Sequence, residues 1–148
     1  MLDETDLKIL RILQKDGKAK LNEIAEEVDL TIPSVSERIH KLENKNYIIG
    51  NYVKLDRKLF GYDITVFIHV IMESSKNYKT LIAKVEKIPQ ILECHSVLGE
   101  GSHLLKAVLK KTEDLEKLLS EIQSWPGVVS TKTTYVLSTI KETFEISI

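Results

Sequence analysis

Residues 21–44 read LNEIAEEVDLTIPSVSERIHKLEN. Leu21, Ile24, Ala25 and Val28 recur at the three-and-four spacing of a helix with one apolar face, and Asn22, Glu23, Glu26 and Glu27 fill the opposite face. Asp29-Leu30-Thr31 has room only for a turn. Thr31 then suits the N-cap of a further helix, with Pro33 in its first turn, where a missing N–H does no harm. Val35, Ile39 and Leu42 face inward from that helix, leaving Ser34, Ser36, Glu37, Arg38, His40 and Lys41 on or beside its outer face. Two short helices across so tight a turn are the layout of a helix-turn-helix. The pattern alone fits a nucleic-acid reader and a plain helical bundle equally.

Upstream, Leu7, Ile9, Leu10, Ile12 and Leu13 make an apolar stripe that predicts a helix over Glu4–Gln14. Asp3 suits its N-cap, Asp6 sits near the positive end of its dipole, and Asp16-Gly17 ends it. Downstream, Ile48–Val53 turns β-like and Asp56–Tyr62 reads as a connection, so the expected domains are 1–62 and 63–148. The second half predicts strand Ile64–Met72, helix Tyr78–Ile88, strand Ile91–Leu98, a turn at Gly99-Glu100-Gly101-Ser102, strand His103–Leu109, helix Asp114–Ser124 and strand Val128–Ile140. That order, βαββαβ, is ferredoxin-like, and the fold class is α+β. With helices on one side of the sheet, the other side is bare; it carries apolar residues and is expected to pack against another subunit.

The chain of 148 residues is 43% hydrophobic and 29% charged, as an ordinary globular protein is. Its acidic start lacks the layout of a signal peptide, and no apolar run spans a bilayer, since Thr65 and His69 interrupt the richest one. A lone Cys94 can form no internal disulfide, which suits a reducing compartment, so a cytoplasmic location is expected. The net charge of −1 is unfavourable for a nucleic-acid binder, because phosphate contacts supply most non-specific affinity. Binding to DNA then requires several copies acting together, or basic residues gathered on one face.

Several motifs, in order and along essentially the whole chain, resemble the Lrp/AsnC (leucine-responsive, or feast/famine) family of prokaryotic regulators. Leu2-Asp3-x-x-Asp6-x-x-Ile9-Leu10-x-x-Leu13-Gln14-x-Asp16-Gly17-Lys18 is similar to the family's opening helix. Val35-x-x-Arg38-Ile39-x-x-Leu42-Glu43 resembles its recognition helix, and Leu59-x-Gly61-Tyr62 its domain junction. Glu93-Cys94-His95-x-Val97-x-Gly99, Leu104-Leu105-Lys106 and Trp125-Pro126-Gly127-Val128 before Thr131-Lys132-Thr133 resemble the sensor half. The resemblance implies a winged-helix DNA-binding domain, homodimers formed through the sheet domain and often assembled into octamers, and an amino-acid effector held near the hairpin turn. One departure stands out: where the family's turn commonly carries an aromatic residue and a second acid, this chain has Gly101 and Ser102. That acid would suit an amino group through a charge-assisted hydrogen bond.

Ser34, Ser36, Glu37, His40 and Lys41 are therefore the candidates for the major groove of double-stranded DNA. Thr31, Lys45 and Lys54 are candidate phosphate contacts, and Arg38 is either a phosphate or a structural contact. Leu98, Gly99, Glu100, Gly101, Ser102 and His103 form the candidate effector site; the bland alternative is a hairpin turn needing positive φ. Cys94, His95 and His103 suggest a metal, but consecutive strand residues point to opposite faces, so no metal site is expected. No cofactor and no catalytic residue are expected either. Siroheme decarboxylases resemble the same architecture and supply a rival, enzymatic reading. Against it, the second half has no arginine to meet a tetrapyrrole's carboxylates. A third reading is a metabolite-sensing module that no longer binds DNA; the intact turn and polar third helix argue against that one.

Overall fold

The computed structural model describes residues 2–148. Asp3 opens helix α1 (Glu4–Lys15) with a capping box: its carboxylate accepts the Asp6 N–H while the Asp6 carboxylate accepts its own. Helix α2 (Leu21–Val28) ends at Asp29, which adopts the left-handed conformation at φ +53° that Asp tolerates better than most residues. Leu30 N–H closes the turn onto the Ala25 carbonyl at 3.0 Å. Helix α3 (Ile32–Asn44) begins from Thr31, whose hydroxyl accepts the Ser34 N–H, with proline in its first turn. Ile9, Leu10, Ile24, Ala25, Val35 and Leu42 form the common core of the three helices.

Ile48–Val53, expected to be β-like, forms no strand. A strand exists only as one side of a ladder, and no described residue supplies the other side; Ile49, Tyr52 and Val53 stay exposed.

The second unit has the expected order: β1 (Ile64–Met72), α4 (Tyr78–Val85), β2 (Ile91–Ser96), β3 (His103–Leu109), α5 (Thr112–Gln123) and β4 (Val128–Tyr135). The strands lie in the order β2-β3-β1-β4, all neighbours antiparallel. On β1, Ile64, Val66, Ile68 and Val70 are buried and alternate with half-buried residues, as one covered face demands. They pack with Leu105 and Ala107 of β3, Leu81 and Val85 of α4, Leu118 and Ile122 of α5, and Trp125. The other face is more mixed than expected. Phe67, Leu104 and Val108 share it with His69, His95, Lys106 and Lys132, as the cross-strand partners place them.

Several elements end earlier than their sequence predicts. β4 stops at Tyr135 because Tyr135 pairs with Val66, near the start of β1, and the ladder closes with Val136 N–H on the Thr65 carbonyl. β2 stops at Ser96, opposite the first residue of β3. Helix α4 gives way to a turn before Ile88. Contacts also divide the chain differently from the expected boundary. Leu55–Ile140 forms the sheet unit, while the residues up to Lys54 group with Lys141–Ile148 in the helical unit. That C-terminal segment lies along α1. Ile146 N–H donates to the Gln14 side-chain carbonyl at 2.8 Å, the Gln14 amide returns a bond to the Ile146 carbonyl, and Arg11 Nε donates to the Ile148 oxygen.

Candidate nucleic-acid interface and hairpin site

The outer side of α3 presents Ser36, Glu37, His40 and Lys41 to solvent, with Lys45 just past its end. Thr31 is exposed but occupied: its hydroxyl caps the helix and lies 2.9 Å from the Ser34 hydroxyl. Within the row, Lys41 Nζ meets Glu37 Oε1 at 2.6 Å, one helical turn away. The hydrogen bond from Lys41, and then its charge, hold the Glu37 carboxyl below the usual range. Lys54 is placed differently, paired at 3.0 Å with Glu142 of the C-terminal segment.

Arg38 turns away from this row. Its Nη1 lies 2.8 Å from Asp3 Oδ2 and 2.7 Å from Asp6 Oδ1, at the capping box of α1. The Asp6 backbone N–H and then Arg38 hold the Asp3 carboxyl below its ordinary value, and the two carboxylates push the guanidinium further up. A cleft of about 350 Å³ opens beside this contact, lined among others by Leu2, Ser34, Lys41, Lys45 and Tyr47.

In the sheet unit, the hairpin between β2 and β3 is pressed onto the end of β1. Gly101 sits at φ +85°, and a Cβ there would come within 2.8 Å of the Val70 carbonyl oxygen. Ser102 N–H donates to that same oxygen at 3.0 Å. Gly99 also has positive φ, +112°, but faces open space. A carbonyl only accepts, so the His69 Nδ1 that lies 2.9 Å from the Glu100 carbonyl carries the proton. Lys132 of β4 forms an ion pair with the Glu100 side chain and lowers its pKa. Leu98 is fully exposed. His103 is buried, edge-on to the Tyr78 ring at 4.8 Å between centroids, with Nδ1 2.8 Å from Ser102 Oγ. Burial lowers its pKa.

The six hairpin residues thus lie together, although they face different ways. Local sequence reading could not reveal the partners of the site. Lys132, His69 and Tyr78 come from elements far along the chain, as Asp3 and Asp6 do for Arg38. Cys94 and His95 fall opposite Leu105 and Leu104, on the two different faces of the sheet. Among the described residues, no group of three or more metal-ligating side chains comes together, and no helix is long and apolar enough to cross a membrane.

A helix-turn-helix followed by a ferredoxin-like domain is an architecture used by two-domain, DNA-binding transcription regulators, and sequence similarity places this chain among them. Residues 2–49 match the family described as winged helix-turn-helix DNA-binding, and residues 65–146 match the Lrp/AsnC ligand binding domain. The chain belongs to the Lrp/AsnC family. It is 38% identical over 147 residues to the HTH-type transcriptional regulator FL11 of Pyrococcus horikoshii, covering 99% of this chain and 97% of that one. It is 31% identical to the regulatory protein AsnC of Haemophilus influenzae over 89% of each chain. Among solved structures, a transcriptional regulator of Neisseria meningitidis in complex with L-Met superposes with a TM-score of 0.92 at 28% identity, covering 99% and 97% of the two chains. AsnC of E. coli superposes with a TM-score of 0.89 at 26% identity over 96% of each.

Proposed function

We propose that this regulator reads double-stranded DNA with the outer side of α3 and does so as a homodimer or a higher assembly. The observation that carries this reading is the exposed row Ser36, Glu37, His40 and Lys41 on a helix set by a tight turn, in a chain matching a winged helix-turn-helix family. Hydroxyl and ammonium groups in such a row can reach base edges. Lys45 is the proposed phosphate contact, and Ser34 lies beside the groove-facing row. Thr31, whose hydroxyl caps α3, and Lys54, paired with Glu142, would join Lys45 only by exchanging those partners for phosphate. The net charge of −1 favours cooperation between copies, since one copy neutralises few phosphates. The half-apolar outer face of the sheet, with Phe67, Leu104 and Val108, is the proposed dimer surface. Two α3 helices related by a two-fold axis then call for a pseudo-palindromic site.

The sheet unit is proposed to sense a small metabolite at Leu98–His103. The L-Met complex of the similar Neisseria protein supports an amino-acid effector. In this chain Glu100 is engaged by Lys132, and Ser102 stands where the family commonly has an acid. An amino group arriving there would have to compete with Lys132 for the carboxylate. The protein is proposed to act in the cytoplasm and without catalysis, in line with relatives named as transcriptional regulators.

The test is retention of fluorescent genomic fragments, the protein's own promoter included, against excess competitor over a salt series. Selective retention that weakens with salt is the expected result, and a panel of amino acids should alter it. Equal retention of all fragments, with and without the panel, would overturn selective regulation.

A further inference from the structure

The α1 capping box and Arg38 together engage every oxygen of two carboxylates. Asp3 Oδ1 accepts the Asp6 N–H at 2.8 Å and Asp6 Oδ2 accepts the Asp3 N–H at 3.2 Å. The remaining oxygens, Asp3 Oδ2 and Asp6 Oδ1, both accept from Arg38 Nη1. The capping box of the first helix is therefore also the socket for a side chain of the third. Asp6 is the more enclosed partner, its side chain only 15% exposed against 32% for Arg38.

Apolar packing by Val35, Ile39 and Leu42 draws α3 inward but is non-directional. A directional contact adds to the rotational restraint that this packing supplies. Charge-assisted hydrogen bonds are directional and roughly twice as strong as neutral ones. Arg38 lies between Glu37 and Ile39, at the boundary of the exposed and inward rows, so holding it fixes which way Ser36, His40 and Lys41 point. A phosphate reaching Arg38 would have to displace two carboxylates that repel it. We propose that Arg38 is a positioning residue of DNA recognition, locking the rotation of α3 onto the α1 capping box rather than binding phosphate. This rests on the reading of α3 as the DNA-contacting helix.

The test compares wild type, Arg38→Met, Arg38→Lys, Asp6→Asn and the double variant Asp6→Asn/Arg38→Met on a duplex selected with the wild-type protein and on an unrelated duplex of equal length, over a salt series. Arg38→Met should lose preference for the selected duplex by roughly tenfold, about what one well-placed base contact is worth. Its binding to the unrelated duplex and its salt slope should stay unchanged. Asp6→Asn should lose preference in the same direction although it removes a negative charge. The double variant should be no worse than Arg38→Met, as expected for one shared interaction. Arg38→Lys, which can still reach a carboxylate, should recover part of the preference. If Arg38→Met fails to fold, as judged by circular dichroism, Asp6→Asn, which retains the Asp3 contact, decides. The proposal is overturned if Arg38→Met weakens both duplexes equally with a salt slope smaller by about 0.9, or if Asp6→Asn tightens binding. Absence of any preference in the wild type overturns the DNA reading itself, and the proposal with it.

Discussion

At the scale of single residues, the hairpin gives the sharpest expectations. Gly101 combines positive φ with a Cβ position 2.8 Å from the Val70 carbonyl oxygen, whereas Gly99 has positive φ in open space. Gly101→Ala should cost about 1–3 kcal/mol through backbone strain, with the carbonyl contact in addition. Gly99→Ala should cost less, and thermal melts of the two variants compare them directly. His103 gives a pH dependence. Burial lowers its folded pKa below the ordinary 6.5, so between the two values the unfolded chain holds a proton that the folded chain does not. Stability there rises with pH. The contribution is whole above the unfolded value and is lost as pH falls from there through the folded pKa. The carboxyls of Glu93, lowered by His95 and then Lys106, and of Glu100, lowered by Lys132, enter only from about 4.5 downward. Melting temperatures of wild type should therefore fall between pH 7 and 5.5, and His103→Gln should flatten that slope. An unchanged slope in the variant would assign the effect elsewhere. Glycines at 99 and 101 mark a turn in the sequence itself, but the Val70 oxygen that makes Gly101 the costlier one to replace is visible only after folding.

At the scale of elements, the cap that starts α3 and the full extents of β1 and β3 were legible, whereas the ends of α4, β2 and β4 were not. Thr31 and Pro33 announce the start of α3, and the structure places the Thr31 hydroxyl on the Ser34 N–H. Thr31→Ala should cost about 1 kcal/mol, the usual worth of an N-cap, while Thr31→Ser should be nearly neutral; chemical denaturation measures both. Ile64–Met72 was legible as a strand from its β-branched and aromatic residues, and the structure decides which of them face the helices. The length of β4 escaped because residues 136–140 are as β-prone as those before them; the ladder ends where β1 begins, a limit set by the partner strand. Ile48–Val53 escaped for the same reason. Propensity favours an extended chain there, but a strand needs a neighbour.

At the scale of the whole molecule, the C-terminal segment carries the strongest prediction. Residues 141–148 belong to the helical unit and hold α1 through Arg11 and Gln14. Removing them should lower the melting of the helical unit and leave the sheet unit's transition in place, as hydrogen exchange resolved by residue would report. Equal loss of protection in both units would contradict this. The sequence by itself determined the two kinds of domain, their order, the inward rows and the exposed row of α3. These follow from periodicity and capping, which act between residues a few positions apart. Only the tertiary structure decided that Arg38 belongs to Asp3 and Asp6, that Lys132 holds Glu100, and that the last eight residues return to the first helix. Each of these joins residues more than thirty positions apart. Their meeting depends on how packed elements bring surfaces together, which no local pattern encodes.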